Sequence, residues 1–188
     1  MIDAISQGLA EADTLRMRFE EQDGVPMQWV DTAAALPEIE WVDLYDRALS
    51  NPALAGRPVE DQQAAALALM QQDLNGQLRV ADGLPLFRHV LIRVAQDRWF
   101  WYQRYHHVIV DAFSFTAIAR RIAHLYTALC QQQPPEPTPF VPFRDVVEEY
   151  QHYEHSSVCQ RDKQFWLEKA RQLPPAASLS PQPLAGPV

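Results

Sequence analysis

An α/β fold, with a mixed and largely antiparallel sheet and flanking helices, is predicted by three features of the 188-residue chain. Residues 84–110, "LPLFRHVLIRVAQDRWFWYQRYHHVIV", are two long runs rich in β-branched and aromatic residues around a turn at Ala95–Arg98, the pattern of a central hairpin. Runs on both sides of it repeat apolar residues at the 3.6 period of amphipathic helices. A hydrophobic content of 47% over this length supports one globular unit with one sizeable core.

The elements follow in order. Ile2, Ile5 and Leu9 keep helical spacing over residues 2–12, without a capping residue in front. From Thr14 the pattern alternates, with Leu15, Met17 and Phe19 on one face, and "EEQDGVPMQWV" then predicts a β-hairpin with Asp23-Gly24 at its tip. "EIEWVDL" is a short strand. "VEDQQAAALALMQQDLNGQL" is a helix with Glu60 and Asp61 at its positive end and an apolar stripe of Leu67, Met70, Leu74 and Leu78. After the central hairpin, Asp111–Ser114 turn the chain into a helix at roughly 115–131, carrying Ile118, Ile122, Leu125 and Leu129. The connector "QQPPEPTPFVPF" ends it, because proline removes donors and fixes φ. Helices over about 144–153 and 158–172 precede "LPPAASLSPQPLAGPV", which has no pattern able to bury itself and reads as a linker.

Charge and cysteine usage exclude several classes. Sixteen basic residues against 24 acidic ones leave a net charge of −8, which repels a phosphate backbone, so nucleic acid is not expected as a partner. Cys130 and Cys159 show no zinc-type spacing and no disulfide-rich context, so reduced thiols are expected. No signal peptide and no apolar run of about 18 residues is present, which predicts a soluble, cytoplasmic protein without a membrane partner.

The chemistry concentrates in "RYHHVIVDAFSF", residues 104–115. On a continuous strand Trp99, Trp101, Gln103, Tyr105, His107, Ile109 and Asp111 share one side and His106 takes the other, so the adjacent histidines cannot converge on a metal, and none is expected. A histidine at the end of a central strand, with an aspartate where strand becomes helix, has the form of a site. Imidazole, with an unperturbed pKa of about 6.5, can accept a proton from an attacking amine or alcohol, or hydrogen-bond to it and fix its approach. Asp111 can hold the geometry by pairing with an arginine. Ser114 lacks a G-x-S-x-G elbow and a second acid, so it is expected to cap the helix. Tyr105 can line a substrate tunnel, although aromatic residues at strand spacing more often pack the sheet.

The spacing in "HHVIVDAFS" resembles the HHxxxDG motif of the condensation domains of non-ribosomal peptide synthetases, members of the chloramphenicol acetyltransferase-like superfamily. "TLRMRF" at 14–19, "DGLPLFRHVLIRV" at 82–94 and "PFRDVVEEY" at 142–150 are similar, in order, to that family's "LRTxF", "PLFRxxL" and "YxDYxxW" elements. The resemblance implies the N-terminal lobe of the acyltransferase-like fold and an amide-forming reaction between an acyl thioester and the amine of an aminoacyl thioester. Both substrates would arrive on phosphopantetheine arms of acyl and peptidyl carrier proteins, with no cofactor bound directly. It implies that His107 is the catalytic histidine, that His106 is its buried structural partner, and that Asp111 is a structural acid ion-paired with Arg16. The wording of "ADTLRMRF", "WYQRYHH", "DVVEEYQ" and "QLPPAASLSP" is similar to siderophore-assembling members, which implies a 2,3-dihydroxybenzoyl donor and a seryl acceptor.

Two departures from the family pattern matter. Ala112 stands where the motif has glycine, so a backbone needing positive φ or very close substrate approach would be strained by its methyl. The family's opening segment is expected ahead of Met1 and a second lobe, with downstream synthetase domains, after Val188. Residues 1–173 would then be a partial condensation domain and 174–188 a Pro-rich linker, and the chain alone would be inactive because the family's site lies between two lobes. Two rival readings are a coenzyme A or lipoyl acyltransferase lobe, whose histidine activates a thiol or alcohol, and a non-catalytic piece that only folds or docks a carrier.

Overall fold

The structure is a computed structural model that describes residues 1–50, 59–83 and 85–174, with the side chains of 48–50 excepted. All of the expected linker beyond Pro174 lies outside the described residues. The chain falls into two compact units, residues 1–143 and 144–188.

In the first unit, α1 (Ile2–Ala10) leads through a 3₁₀ turn at Asp13–Arg16 into β1 (Met17–Gln22) and β2 (Val25–Val30). These pair antiparallel in register Met17↔Val30 through Gln22↔Val25. Asp23 (φ 52°) and Gly24 (φ 80°) both adopt left-handed backbone, the twist-matched two-residue turn that an Asp-Gly pair permits. A three-stranded sheet is separate from this hairpin: β3 (Glu40–Asp43) lies parallel to β4 (Phe87–Ala95), and β4 pairs antiparallel with β5 (Arg98–Tyr105). The sheet content is therefore mixed and mostly antiparallel, in two sheets.

Side-chain alternation along β4 builds a core on each face. Phe87 and Leu91 point toward α1 and α4 (Ala112–Cys130), joining Ile5, Leu9, Ile118, Ile122 and Leu125 in the larger cluster. Val90, Ile92 and Val94 face the other way, against Tyr102 of β5 and Ala66 of α3 (Val59–Asn75). A short helix, α2 (Leu44–Ser50), follows β3 without a sequence signal that singled it out.

The expected stripe on α3 is corrected. Leu67 and Leu74 are 58% and 54% exposed, and the buried line runs through Ala66 and the half-buried Met70 and Asp73. Its cause is polar. Asp73 accepts from Tyr102 (2.7 Å) and pairs with Arg88 and Arg104, so α3 docks through a charged network that no apolar period records.

α5 (Phe143–Glu154), all but its first residue in the second unit, and α6 (Ser157–Arg171) are amphipathic helices joined at Ser156, whose hydroxyl accepts from Cys159 N and caps α6. Among the described residues no helix is long and apolar enough to cross a membrane.

Candidate active site

The central hairpin ends one residue before the paired histidines. β5 stops at Tyr105, and His106 opens a turn closed by Ile109 N donating to His106 O at 3.2 Å. The strand alternation expected for residues 106–111 therefore does not apply, and His106 is half-buried rather than buried. Its backbone N–H donates to Leu86 O at 2.7 Å, extending the β4–β5 pairing, and its Nδ1 accepts from Val108 N at 3.1 Å. His106 is thus a local brace for the turn. His107 and Val108 sit at its exposed crest. Ile109 (4% exposed) and Val110 (8%) plunge back into the larger core and anchor the far side.

Asp111 then starts α4. Its carboxylate Oδ1 accepts from Ser114 N and from Ser114 Oγ, both at 2.7 Å, the geometry of an N-cap. These bonds, backbone N–H first, hold the Asp111 carboxyl below the usual carboxylate range.

The expected ion pair to Arg16 is overturned. Arg16 instead donates to Ala10 O and to Asp13 Oδ1, both at 3.0 Å, and ties the end of α1 to the 3₁₀ turn. Asp111 is satisfied by its own helix, so no guanidinium is needed. Ser114 is likewise not the capping residue; it is the donor that Asp111 caps, and α4 begins three residues earlier than the apolar period indicates. Ala112 occupies the first helical position and is not among the residues with positive φ, so its methyl meets no backbone strain there.

Beneath the turn lies a feature that sequence reasoning missed. His89, 3% exposed, faces the same side of the sheet as Trp101 and Tyr105 because it stands directly opposite Gln103 in the β4–β5 register. Trp101 Nε1 donates to His89 Nδ1 (3.1 Å), and His89 Nε2 lies 2.6 Å from the Tyr105 hydroxyl. Burial pushes the His89 pKa down to about 4 and pushes the Tyr105 phenol up, so both are neutral near pH 7. Tyr105 also stacks on Phe87 (6.2 Å) and meets Phe115 of α4 edge-on (5.8 Å), joining the hairpin to the first turn of the helix. The signal was present in "FRHVL": a histidine in phase with Phe87 and Leu91 on an apolar face has to find buried partners.

The arrangement presents one exposed imidazole on a turn braced from both sides, over an aromatic layer threaded by hydrogen bonds. It can bind or accept a proton from a nucleophile approaching from solvent.

Comparison with known proteins gives the following. The family model described as "Condensation domain" matches residues 1–186. Enterobactin synthase component F of Shigella flexneri is 53% identical over 183 residues, 97% of this chain and 13% of that protein. The dimodular nonribosomal peptide synthase of Bacillus subtilis (strain 168) is 32% identical over 178 residues, 95% of this chain and 7% of that protein. Among solved structures, the starter condensation domain of rhizomide synthetase RzmA has a TM-score of 0.73 at 32% identity, covering 89% of this chain and 37% of that one. VibH, an NRPS condensation enzyme, shares the fold with a TM-score of 0.73 at 24% identity, covering 92% and 36%. The chain therefore spans a small part of the length of these relatives.

Proposed function

From the premise that this chain belongs to the condensation-domain family, we propose that it supplies His107 to an amide-forming site that joins two carrier-bound thioesters. The observation that carries the reading is the placement of the motif: His107 is exposed at the crest of a turn whose flanks, His106 and Ile109–Asp111, are fixed by backbone bonds, burial and a helix cap.

In the proposed step, the amine nitrogen of the aminoacyl thioester attacks the carbonyl carbon of the acyl thioester. The C–N bond forms, the C–S bond breaks, and the donor's phosphopantetheine thiol leaves. The proton released by the amine passes to His107 or directly to the departing sulfur. His107 serves by orienting the amine and taking up that proton, and an amine already neutral needs the first service more than the second. Nothing in this step calls for a metal or a nucleotide.

The donor is 2,3-dihydroxybenzoyl and the acceptor seryl in this reading, supported by the siderophore-type wording of "ADTLRMRF" and "WYQRYHH". The partners are acyl and peptidyl carrier proteins bearing phosphopantetheine. The test is to supply the full-length gene product with both loaded carriers and follow the amide product by mass spectrometry. Product that appears only when both carriers are loaded supports the reading. Acyl transfer to free coenzyme A or to an alcohol, with no amide, overturns it.

A further inference from the structure

We infer that Arg104 is a positioning residue for His107, acting with Asp73 to fix the strand end from which the histidine turn emerges. The inference rests on the proposed function and adds to it the part of the frame that sets where His107 stands.

Arg104 and Tyr105 are the last two residues of β5, directly ahead of His106 and His107. Alternation sends them to opposite faces of the sheet. On one face Tyr105 meets Phe115 of α4 edge-on. On the other, Arg104 reaches the C-terminal end of α3, where it donates to the backbone oxygens of Asp73 and Gly76 and pairs with the Asp73 carboxylate at 3.1 Å. A cation suits that place, because the last carbonyls of a helix have no partners within it and form its negative end. The strand end is thus gripped by a different helix on each face, within three residues of the imidazole.

The register makes the second grip necessary. Arg104 stands directly opposite Arg88, one pair in from the end of the hairpin. Like charges in that relation repel unless an anion lies between them. Asp73 is that anion: Oδ1 meets Arg88 and Oδ2 meets Arg104, with the Tyr102 hydroxyl donating to Oδ2 as well. Arg88 has Glu40 as a second carboxylate, whereas Arg104 pairs with Asp73 alone among the described residues. Packing does not duplicate these bonds. A cavity of about 460 Å³ lies between this end of α3 and the sheet, with Leu69, Met70, Leu78 and Val90 along its walls, and side chains facing a void make no contacts across it. Removal of the Asp73 charge leaves two guanidiniums facing each other where β5 gives way to the turn, and the turn shifts with the strand end.

The experiment uses the full-length gene product with donor and acceptor carriers loaded in advance, and measures kcat, KM for the carriers and melting temperature. Asp73→Asn removes the charge but keeps an acceptor for Tyr102, Arg104→Met removes the cation, and Arg104→Lys retains it. Arg93→Met is the comparison, since Arg93 is comparably buried and pairs with Asp43 and Asp46 at the opposite end of the same hairpin. Asp73→Asn and Arg104→Met are expected to lower kcat by about 10- to 100-fold with KM little changed, because a displacement of about 1 Å at a reacting group costs that much. Arg104→Lys recovers part of the loss, and Arg93→Met lowers the melting temperature while keeping kcat. A wild-type kcat in Asp73→Asn, or an equal loss of kcat in Arg93→Met, overturns the positioning role and leaves the proposed function standing. No amide from the wild-type protein overturns both.

Discussion

At the scale of single residues, the buried imidazole of His89 makes the fold acid-sensitive in a defined window. Its folded pKa of about 4 lies below the unfolded value of about 6.5, so below pH 6.5 the unfolded chain binds a proton that the folded chain refuses. Stability is fully present above that unfolded value and is lost as pH falls toward 4. Urea midpoints measured at pH 7.0, 6.0, 5.0 and 4.5 should decline for the wild type, and His89→Phe should flatten part of that decline; an unchanged slope in the variant would remove His89 from the account. Asp111 acts with the same sign in a lower window. Its carboxyl is held low by Ser114, so the cap contributes above the unfolded pKa near 4 and fades as pH drops through the lower folded value. Asp111→Ala should therefore lower the melting temperature at pH 7 and much less at pH 3, while Asp111→Ser retains most of the cap at both. An Asp111→Ala protein as stable as the wild type at pH 7 would contradict the assignment. The sequence placed the aspartate at the right junction but gave it the wrong partner. A motif records which residues recur together, and the local choice between an arginine and a neighbouring serine depends on where the helix starts.

At the scale of elements, α1 and α4 pack closely together in the first unit. A Cβ on Gly8 would run into the Ile122 side chain, so the glycine sets how closely the two helices approach. Gly8→Ala should cost about 1–3 kcal/mol through overpacking, against the usual helix-favouring effect of alanine. Beside it, Arg121, whose side chain is 4% exposed, makes a two-pronged ion pair with Glu11 at 2.6 and 2.8 Å. The Arg121 hydrogen bond holds the Glu11 carboxyl below its ordinary range. Glu11→Ala should cost about 3 kcal/mol, because a buried guanidinium loses its hydrogen-bonded carboxylate and keeps only the charge of Glu136 nearby, whereas the Glu11→Leu, Arg121→Met double variant should cost much less. Thermal unfolding of the three proteins checks this, and a double variant no better than the single one would refute it. Neither feature was legible in the chain: Gly8 and Glu11 sit 114 and 110 positions from their partners, and only the docked helices bring them together. What was legible is local. The Asp23-Gly24 hairpin, the β4–β5 hairpin and the period of α4 follow from turn chemistry and side-chain alternation. The end of β5 at Tyr105 is set by His106 bonding to its own turn, a competition between side chain and ladder that alternation does not register.

At the scale of the whole molecule, two cores on opposite faces of one small sheet hold β4 and β5 rigid, and the turn that carries His107 is the exposed continuation of that rigid hairpin. The family and its fold were readable from ordered motifs spread along the chain, two of which, "DGLPLFRHVLIRV" and "HHVIVDAFS", mark the strand and the turn that build this frame, while "TLRMRF" marks the separate β1 hairpin and "PFRDVVEEY" the helix α5. The aromatic layer was not, since its hydrogen bonds depend on a cross-strand register. The central claim is that His107 serves an amide-forming step while its neighbours serve the frame. Its most direct test is single-turnover amide formation by the full-length gene product, with donor and acceptor carriers loaded in advance so that loading steps do not enter. The account predicts that His107→Ala lowers the rate by about 10²-fold or more with an unchanged melting temperature, the size typical of losing a positioned acid–base group. His107→Ala turning over at the wild-type rate, with the protein folded, would contradict it.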